Sequence, residues 1–287
     1  MKKLTLLLAA LTVASAAYAK EVMPVAEVEA APMLKVTSIG QYIEIDNTSG
    51  SEDIGEAVML GNKLGLAYGD DWTFGLMARK GWSMDTDDGI SSTNHRIEMS
   101  ATKHYDNYTV GAIWRAEKDY DRFLATTSYK YDMFSGNLKA GYKFVDKGND
   151  YFYAEGMPVA VTYNNVKLGY YFEYSKYNGT GDKVGDQDSG MLHQVRISTP
   201  LYSNDKLSLA AEYRYQFAQD KDYEKTTAWQ ENNRHIAILS GSYAMTDNLS
   251  ISSYYEYDFN KYEGHDGATD DADNYYGEFG LGWTYKF

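Results

Sequence analysis

Arg79, Arg96 and Arg115 each sit in the polar phase of a segment whose alternate positions are apolar. Leu76 and Ala78 on one face leave Arg79 on the other; Ile97, Met99 and Ala101 do the same for Arg96 and Glu98, and Val110, Ala112 and Trp114 for Arg115. Lys130, Lys139, Lys143 and Lys167 follow in the same phase. Later the sign changes. Leu249, Ile251, Tyr255 and Phe259 leave Glu256 and Asp258 on the polar face, joined by Glu278 near the end and Glu44 near the start. Ionised groups at every second position of an apolar segment suit the lining of a watery passage. A basic arc opposed to an acidic one would set a transverse field there and order dipolar solutes. The other reading is that a polar interior pairs its charges simply to pack.

Other chemistries find little support. The chain has no cysteine, which removes disulfides, thiolate metal sites and cysteine nucleophiles. Its five histidines, His95, His104, His193, His235 and His265, belong to no H-E-x-x-H motif, and no G-x-S-x-G elbow or His-x-Ser pair occurs. Gly264-His265-Asp266 offers an imidazole and a carboxylate without a second acid to match them. Asp85-Thr86-Asp87-Asp88-Gly89 has the look of a calcium loop, but Arg96 stands where the bidentate Glu belongs. No enzyme, metal or cofactor is expected. A formal net charge of −14, more negative still without Lys2 and Lys3, argues against nucleic acid as a partner.

The elements that must position these charges are strands. Tight polar turns recur at Gly69-Asp70-Asp71, Tyr105-Asp106-Asn107, Phe134-Ser135-Gly136, Tyr163-Asn164-Asn165, Ser203-Asn204-Asp205 and Thr246-Asp247-Asn248. Their Gly, Asn and Asp content is what tight hairpins need. Between them lie longer, acidic, Gly-rich stretches at 47–56, 83–92, 117–122, 145–150, 178–190, 218–234 and 260–273. Six short turns and seven long loops predict fourteen strands, over 34–46, 57–68, 72–82, 93–103, 108–117, 123–132, 137–144, 151–162, 166–177, 191–200, 206–217, 235–244, 249–259 and 275–287. Short turns on one rim and long loops on the other are the pattern of a transmembrane antiparallel up-and-down β-barrel, an all-β fold. Pro158 fits badly inside the eighth strand and calls for a bulge or a longer fourth loop. Aromatic residues gather near both rims: Tyr68, Trp72, Tyr108, Tyr163, Tyr202, Tyr243 and Trp283 by the short turns, Trp82, Tyr174, Tyr177, Tyr215, Phe217, Tyr257 and Phe259 by the loops.

The termini agree. Lys2 and Lys3, the apolar run Leu4 to Val13 and the Ala17-Tyr18-Ala19 site predict a removed signal peptide over 1–19. Residues 20–33 read as a short periplasmic leader, and 34–287 as the barrel. The last strand alternates Phe279, Leu281, Trp283, Tyr285 and Phe287 against Glu278, Gly280, Gly282, Thr284 and Lys286. Its ending resembles the C-terminal signal of Gram-negative outer-membrane barrels, which implies that Phe287 is read by the barrel assembly machinery. Lys20-Glu21-Val22-Met23-Pro24 resembles the mature start of FomA-type porins. Length, signal peptide, fourteen strands and terminal Phe together resemble the monomeric OmpG-type porins. That likeness implies a long sixth loop folded over the mouth and controlled by a histidine pair on strands twelve and thirteen. Here the sixth loop would be Ala218 to Arg234 with Trp229 as a plug, and the pair would be His235 and His265. Strand thirteen, however, holds Tyr257 and Asp258 at the matching place.

An outer-membrane porin for small hydrophilic solutes is the first expectation, with lipopolysaccharide and outer-membrane lipid as its surroundings. A plugged barrel serving adhesion or envelope anchoring through its acidic loops is the second. Fourteen strands favour the first, because only smaller barrels are filled by side chains.

Overall fold

The computed structural model describes residues 33–48, 57–85, 89–146, 148–178, 187–223, 226–265 and 272–287, and of 85, 221–223, 226–232, 260–265 and 272–274 the backbone alone. The expected signal peptide and nearly all of the leader lie outside them. Fourteen strands form: β1 Leu34–Ile45, β2 Ala57–Tyr68, β3 Trp72–Asp85, β4 Gly89–His104, β5 Tyr108–Glu117, β6 Tyr120–Tyr131, β7 Phe134–Val145, β8 Tyr151–Tyr163, β9 Val166–Tyr177, β10 Gln187–Ser203, β11 Leu207–Tyr223, β12 Thr226–Ala244, β13 Leu249–His265 and β14 Ala272–Lys286. Each pairs antiparallel with its sequence neighbours, and β1 pairs with β14 from Ser38↔Lys286 to Ile45↔Phe279. The barrel is closed.

The period of two sorts the side chains. Leu168 is 50% exposed, Phe123 51% and Leu239 54%, all on the outer wall. Large apolar groups left bare on this scale are stable against hydrocarbon and not against water. The inner face is set by contacts that skip a strand: Glu44 on β1 meets Arg79 on β3, and Tyr254 on β13 meets Glu44. Such contacts are possible only across the concave side.

The turns explain the register. Asn164 and Asn165 both have positive φ, 47° and 67°, which is the type I′ geometry that matches strand twist, and asparagine tolerates it. Pro158 sits at bulges, with register shifts between Gly156 and Val159 against β9 and between Ser135 and Asn137 against β7. Its carbonyl accepts the Tyr129 hydroxyl at 3.0 Å.

Several expectations need correction. The stretch 83–92 is mostly ladder, with Ser83 paired to Ser91 and Asp85 to Gly89, and β10 already begins at Gln187 inside the expected loop 178–190. The β6–β7 turn is Asp132-Met133, with Asp132 at φ 51°, so Phe134 already pairs with Tyr131. The stretch 117–122 is no long loop; Lys118-Asp119 closes a tight hairpin in which Glu117 pairs with Tyr120. The sixth loop is mostly ladder, because β11 runs to Tyr223 and β12 begins at Thr226. The seventh is likewise shortened by β13 reaching His265 and β14 starting at Ala272. Polar, acidic composition disguised these strand ends, since above the membrane both faces of a strand meet water and alternation disappears. One side of the wall is therefore tall: β12 has 19 residues where β5 has 10, and about ten suffice to span a membrane.

Replacing Asn165 by Ile should cost about 1–2 kcal/mol, because a β-branched residue resists positive φ. Asn165→Gly should hold wild-type stability. Urea unfolding of vesicle-inserted protein, followed by tryptophan fluorescence, measures both.

Candidate functional site

The inner wall is where the chain concentrates its ionisable side chains. On β3 to β5, Arg96 Nε donates to Glu117 at 2.5 Å and Arg115 Nε to Glu98 at 2.7 Å. Arg79 sits 3.6 Å from Glu44. Across β11 to β13, Arg214 contacts Glu212 and lies 3.7 Å from Glu256. Arg234 Nε donates to Asp258 at 2.6 Å, and the Asp258 side chain is only 4% exposed. Lys139 reaches Glu155 at 3.0 Å.

Tyrosines join these pairs into a belt. Tyr120 donates to Glu117 at 2.5 Å, and the Lys143 ammonium stands 3.6 Å above the Tyr120 ring. Tyr153 donates to Glu155 at 2.7 Å with the Arg122 guanidinium over its ring. Tyr171 donates to Glu173 at 2.7 Å, and Arg196 lies 3.4 Å over its ring while bonding Gln194. Gln194 donates to the buried Gln216 at 3.1 Å. Tyr254 donates to both Glu44, at 3.1 Å, and Glu278.

Two glycines make room for this belt. A Cβ on Gly61 would fall 2.0 Å from the Tyr42 ring, and one on Gly280 would fall 2.1 Å from the Tyr254 ring. The rings lie flat against bare backbone; the Tyr254 hydroxyl thereby reaches Glu44 and Glu278, and that of Tyr42 reaches the Met77 sulfur at 3.9 Å. Below the belt, Ser208, Ser240, Ser242, Ser252 and Tyr254 line a concavity of about 310 Å³.

At the upper edge Glu44, Asp46 and Glu278 bring carboxylate oxygens within 4.8 Å of one another. Asp46 lies just past the end of β1. Burial, then the neighbouring charges of Glu278 and Glu44, push its carboxyl up to about 6, against the opposing pull of Tyr276 and Arg79.

No protein-family model matches the sequence, and no curated protein matches it. Solved structures do. A bacterial polysaccharide outer-membrane secretin aligns over 88% of this chain and 98% of its own at 10% identity, with a TM-score of 0.54. The CymD monoaromatic hydrocarbon channel aligns over 89% of both chains at 11% identity and a TM-score of 0.53. OmpT of Vibrio cholerae aligns over 91% of this chain and all of its own at 12% identity and a TM-score of 0.47. At such identities the likeness is one of fold. With its lipid-facing outer wall, the chain has the fold of an outer-membrane β-barrel.

Strand parity and these contacts place Arg79, Arg96, Arg115, Lys130, Lys139, Lys143, Lys167, Glu44, Glu256, Asp258 and Glu278 of this barrel on the inner face. Bonds along the wall overlie the opposition of the basic and acidic arcs. Lys139 holds Glu155, and Glu256 has Arg214 beside it. A charge finds its partner on a neighbouring strand about 5–10 Å away, closer than the far side.

His235 is not on the inner face. It pairs with Tyr215 and Phe259 on the outer wall, stacks on Tyr215 at 5.0 Å and accepts or donates a 2.6 Å hydrogen bond with Tyr213. Its phase is that of Leu239, which faces lipid. Trp229 and His265 are paired opposite each other in the β12–β13 ladder, and their side chains lie outside the described ones. Tyr177, expected in the girdle by the loops, instead packs at a tilt on the inward Tyr151, ring centroids 4.6 Å apart.

Arg122 and Arg234 were missed because their positions read as loop. The tyrosines of the belt were missed because tyrosine occurs in both phases. Arg234→Met should destabilise the barrel by about 3 kcal/mol by leaving the Asp258 carboxylate buried without a cation. Adding Asp258→Leu should recover most of that loss in the same urea titration, as a coupled pair does.

Proposed function

We propose that the barrel is a passive channel for small hydrophilic solutes and ions. The observation that carries this reading is the exposure of charged groups on the inner wall. The Lys139 side chain is 44% exposed midway along β7, and that of Arg234 is 33% exposed. A barrel packed shut would have to strip water from such groups, at several kcal/mol per ion. Fourteen strands enclose more room than side chains fill, as smaller barrels show by contrast. The structural neighbour CymD is itself a monoaromatic hydrocarbon channel.

Selectivity would come from the unequal distribution of charge. The inner face of β3 to β7 carries Arg79, Arg96, Arg115, Arg122, Lys139 and Lys143 against Glu98 and Glu117. The inner face of β13, β14 and β1 carries Glu256, Asp258, Glu278 and Glu44 against Lys35 and Lys286 at the short-turn rim. Local pairing weakens the transverse field without cancelling it, and the surplus of cations on one side and of carboxylates on the other gives passing dipoles an orientation. Phe287, whose N–H donates to the Thr37 carbonyl at 3.1 Å, is 69% exposed, which would leave it open to the assembly machinery. The acidic loops would face lipopolysaccharide.

Planar-bilayer recording of the refolded chain tests the channel. Discrete open steps that grow with salt are expected; a folded barrel that gives none would instead be plugged. With a salt gradient imposed, Glu256→Lys should shift the reversal potential toward anion preference, and Lys139→Glu should shift it the other way.

Acid should act through Asp46. Its carboxyl titrates near 6, so it is ionised at pH 7 and neutral at pH 5. Cation preference should therefore weaken as pH falls through 6. Asp46→Asn should show the weaker preference at pH 7 and lose the change near pH 6, as read from reversal potentials across that range.

A further inference from the structure

The outer wall carries a feature that the passage of solutes does not use. Gln41 on β1 and Asn62 on β2 are register partners, and Gln41 Nε2 donates to Asn62 Oδ1 at 3.0 Å. Both lie in the phase of Ile39 and Ile43, the lipid-facing one. Their depth is that of the hydrocarbon. Asn62 stands six residues above Tyr68 of the short-turn girdle and four below Val58, whose partner is Trp82 of the opposite girdle. At about 3.3 Å per residue and a tilt of about 40°, these steps are roughly 15 Å and 10 Å along the membrane normal. Together they span the band, about 25 Å tall, that such barrels present to lipid. The pair sits inside it.

One hydrogen bond between two amides leaves much unpaired. Gln41 keeps its Oε1 and one Nε2 hydrogen, and Asn62 keeps both Nδ2 hydrogens; neither side chain has another partner among the described residues. Lipid tails supply no donor or acceptor, so each of these groups is costly there. Immediately beside the pair the outer wall is hollowed into a groove of about 250 Å³, lined by Gln41, Ile43, Leu60, Ile251, Leu281 and Trp283. On the other side Asn62 pairs with Ala78, a small residue that lets another backbone approach.

We propose that this patch on β14, β1, β2 and β3 is where a second copy of the chain docks within the membrane. Amides are donors and acceptors at once, so the patch is chemically complementary to itself, and side-chain amides hydrogen-bonding across spans are a known source of association in lipid. The groove receives an apolar side chain of the neighbour while the amides pair around it. The chain's own leader is a poor occupant, because Glu21, Glu27 and Glu29 would have to enter hydrocarbon. The proposal stands whether or not the barrel conducts.

The chain has no cysteine, so a single one placed on the outer wall reports proximity. Leu76→Cys lies on β3 next to the patch, and Leu168→Cys lies on β9, on the other side of the ring. Each purified variant, refolded in lipid nanodiscs large enough for several barrels, is treated with a short bismaleimide. Covalent multimers several-fold more abundant from Leu76→Cys than from Leu168→Cys are expected. Adding Gln41→Leu and Asn62→Leu to Leu76→Cys should lower them to the Leu168→Cys level, with folding verified by heat-modified gel mobility. Equal yields from the two single cysteines would overturn the proposal, as would undiminished cross-linking after loss of both amides. Should the double leucine variant fail to fold, the comparison of the two single cysteines still decides.

Discussion

Every other property of this structure depends on the closing ladder between β1 and β14. Hydrocarbon offers nothing for an unpaired N–H or C=O, so a sheet can cross it only with no free edge. Eight consecutive register pairs, Ser38↔Lys286 to Ile45↔Phe279, remove that edge. Closure converts the period of two from a local pattern into two continuous surfaces. One must be apolar because lipid bathes it, and the other is released from that demand because water can reach it.

Released from lipid, the inner wall has been filled with charge and then organised. Six of its ion pairs, and the tyrosines bonded to them, run from strand to strand around the ring. Tyr42 and Tyr254 lie flat only because Gly61 and Gly280 have no Cβ. At Tyr254 the order is physical: bare backbone admits the ring, its hydroxyl fixes the Glu44 carboxylate, and that carboxylate holds Arg79. Residues that are tightly enclosed, such as Asp258, serve the wall's rigidity, while those that remain exposed, such as Lys139, meet what is in the lumen.

Much of the fold was legible because lipid enforces it. Within the membrane, strand limits follow from alternation: β2, β5 and β9 run over the residues that the pattern predicts, 57–68, 108–117 and 166–177. Pro158 announced its bulge for the same reason, since a residue without an N–H cannot join the ladder. Outside the membrane the enforcing solvent is gone, and so was the signal. Ala218 to Arg234 reads as a loop, yet Gln219 to Tyr223 pairs with Thr226 to Gln230 in the β11–β12 ladder, held by backbone bonds that any side chain permits. The site was legible in phase and obscure in partnership. Parity puts Glu256 and Lys139 on the inner face, but it carries no information on reach, and reach decides that Arg214 and Glu155 are their neighbours. His235 shows the limit most clearly. A histidine among polar residues looks like a lumen group, whereas one step of parity sets it among Tyr213, Tyr215 and Phe259 on the outer wall.

The two walls obey opposite economies of the same interaction. Inside, a hydrogen bond competes with water, so a pair such as Arg115 and Glu98 contributes modestly to stability and serves chiefly to place charge. Outside, a hydrogen bond competes with nothing, so an amide such as Asn62 carries a cost that only protein can offset. Polar residues are therefore uninformative on the inner face and highly informative on the outer one. Around the described outer wall most mid-depth positions are Leu, Ile, Val, Ala or Phe. Single polar groups also stand in the outer phase, Lys80 opposite Leu60 and Ser253 opposite Leu281, whereas Gln41 and Asn62 fall on adjacent strands, in register, beside a groove. Two amides placed to bond each other and still hold spare donors mark a surface shaped for contact with protein.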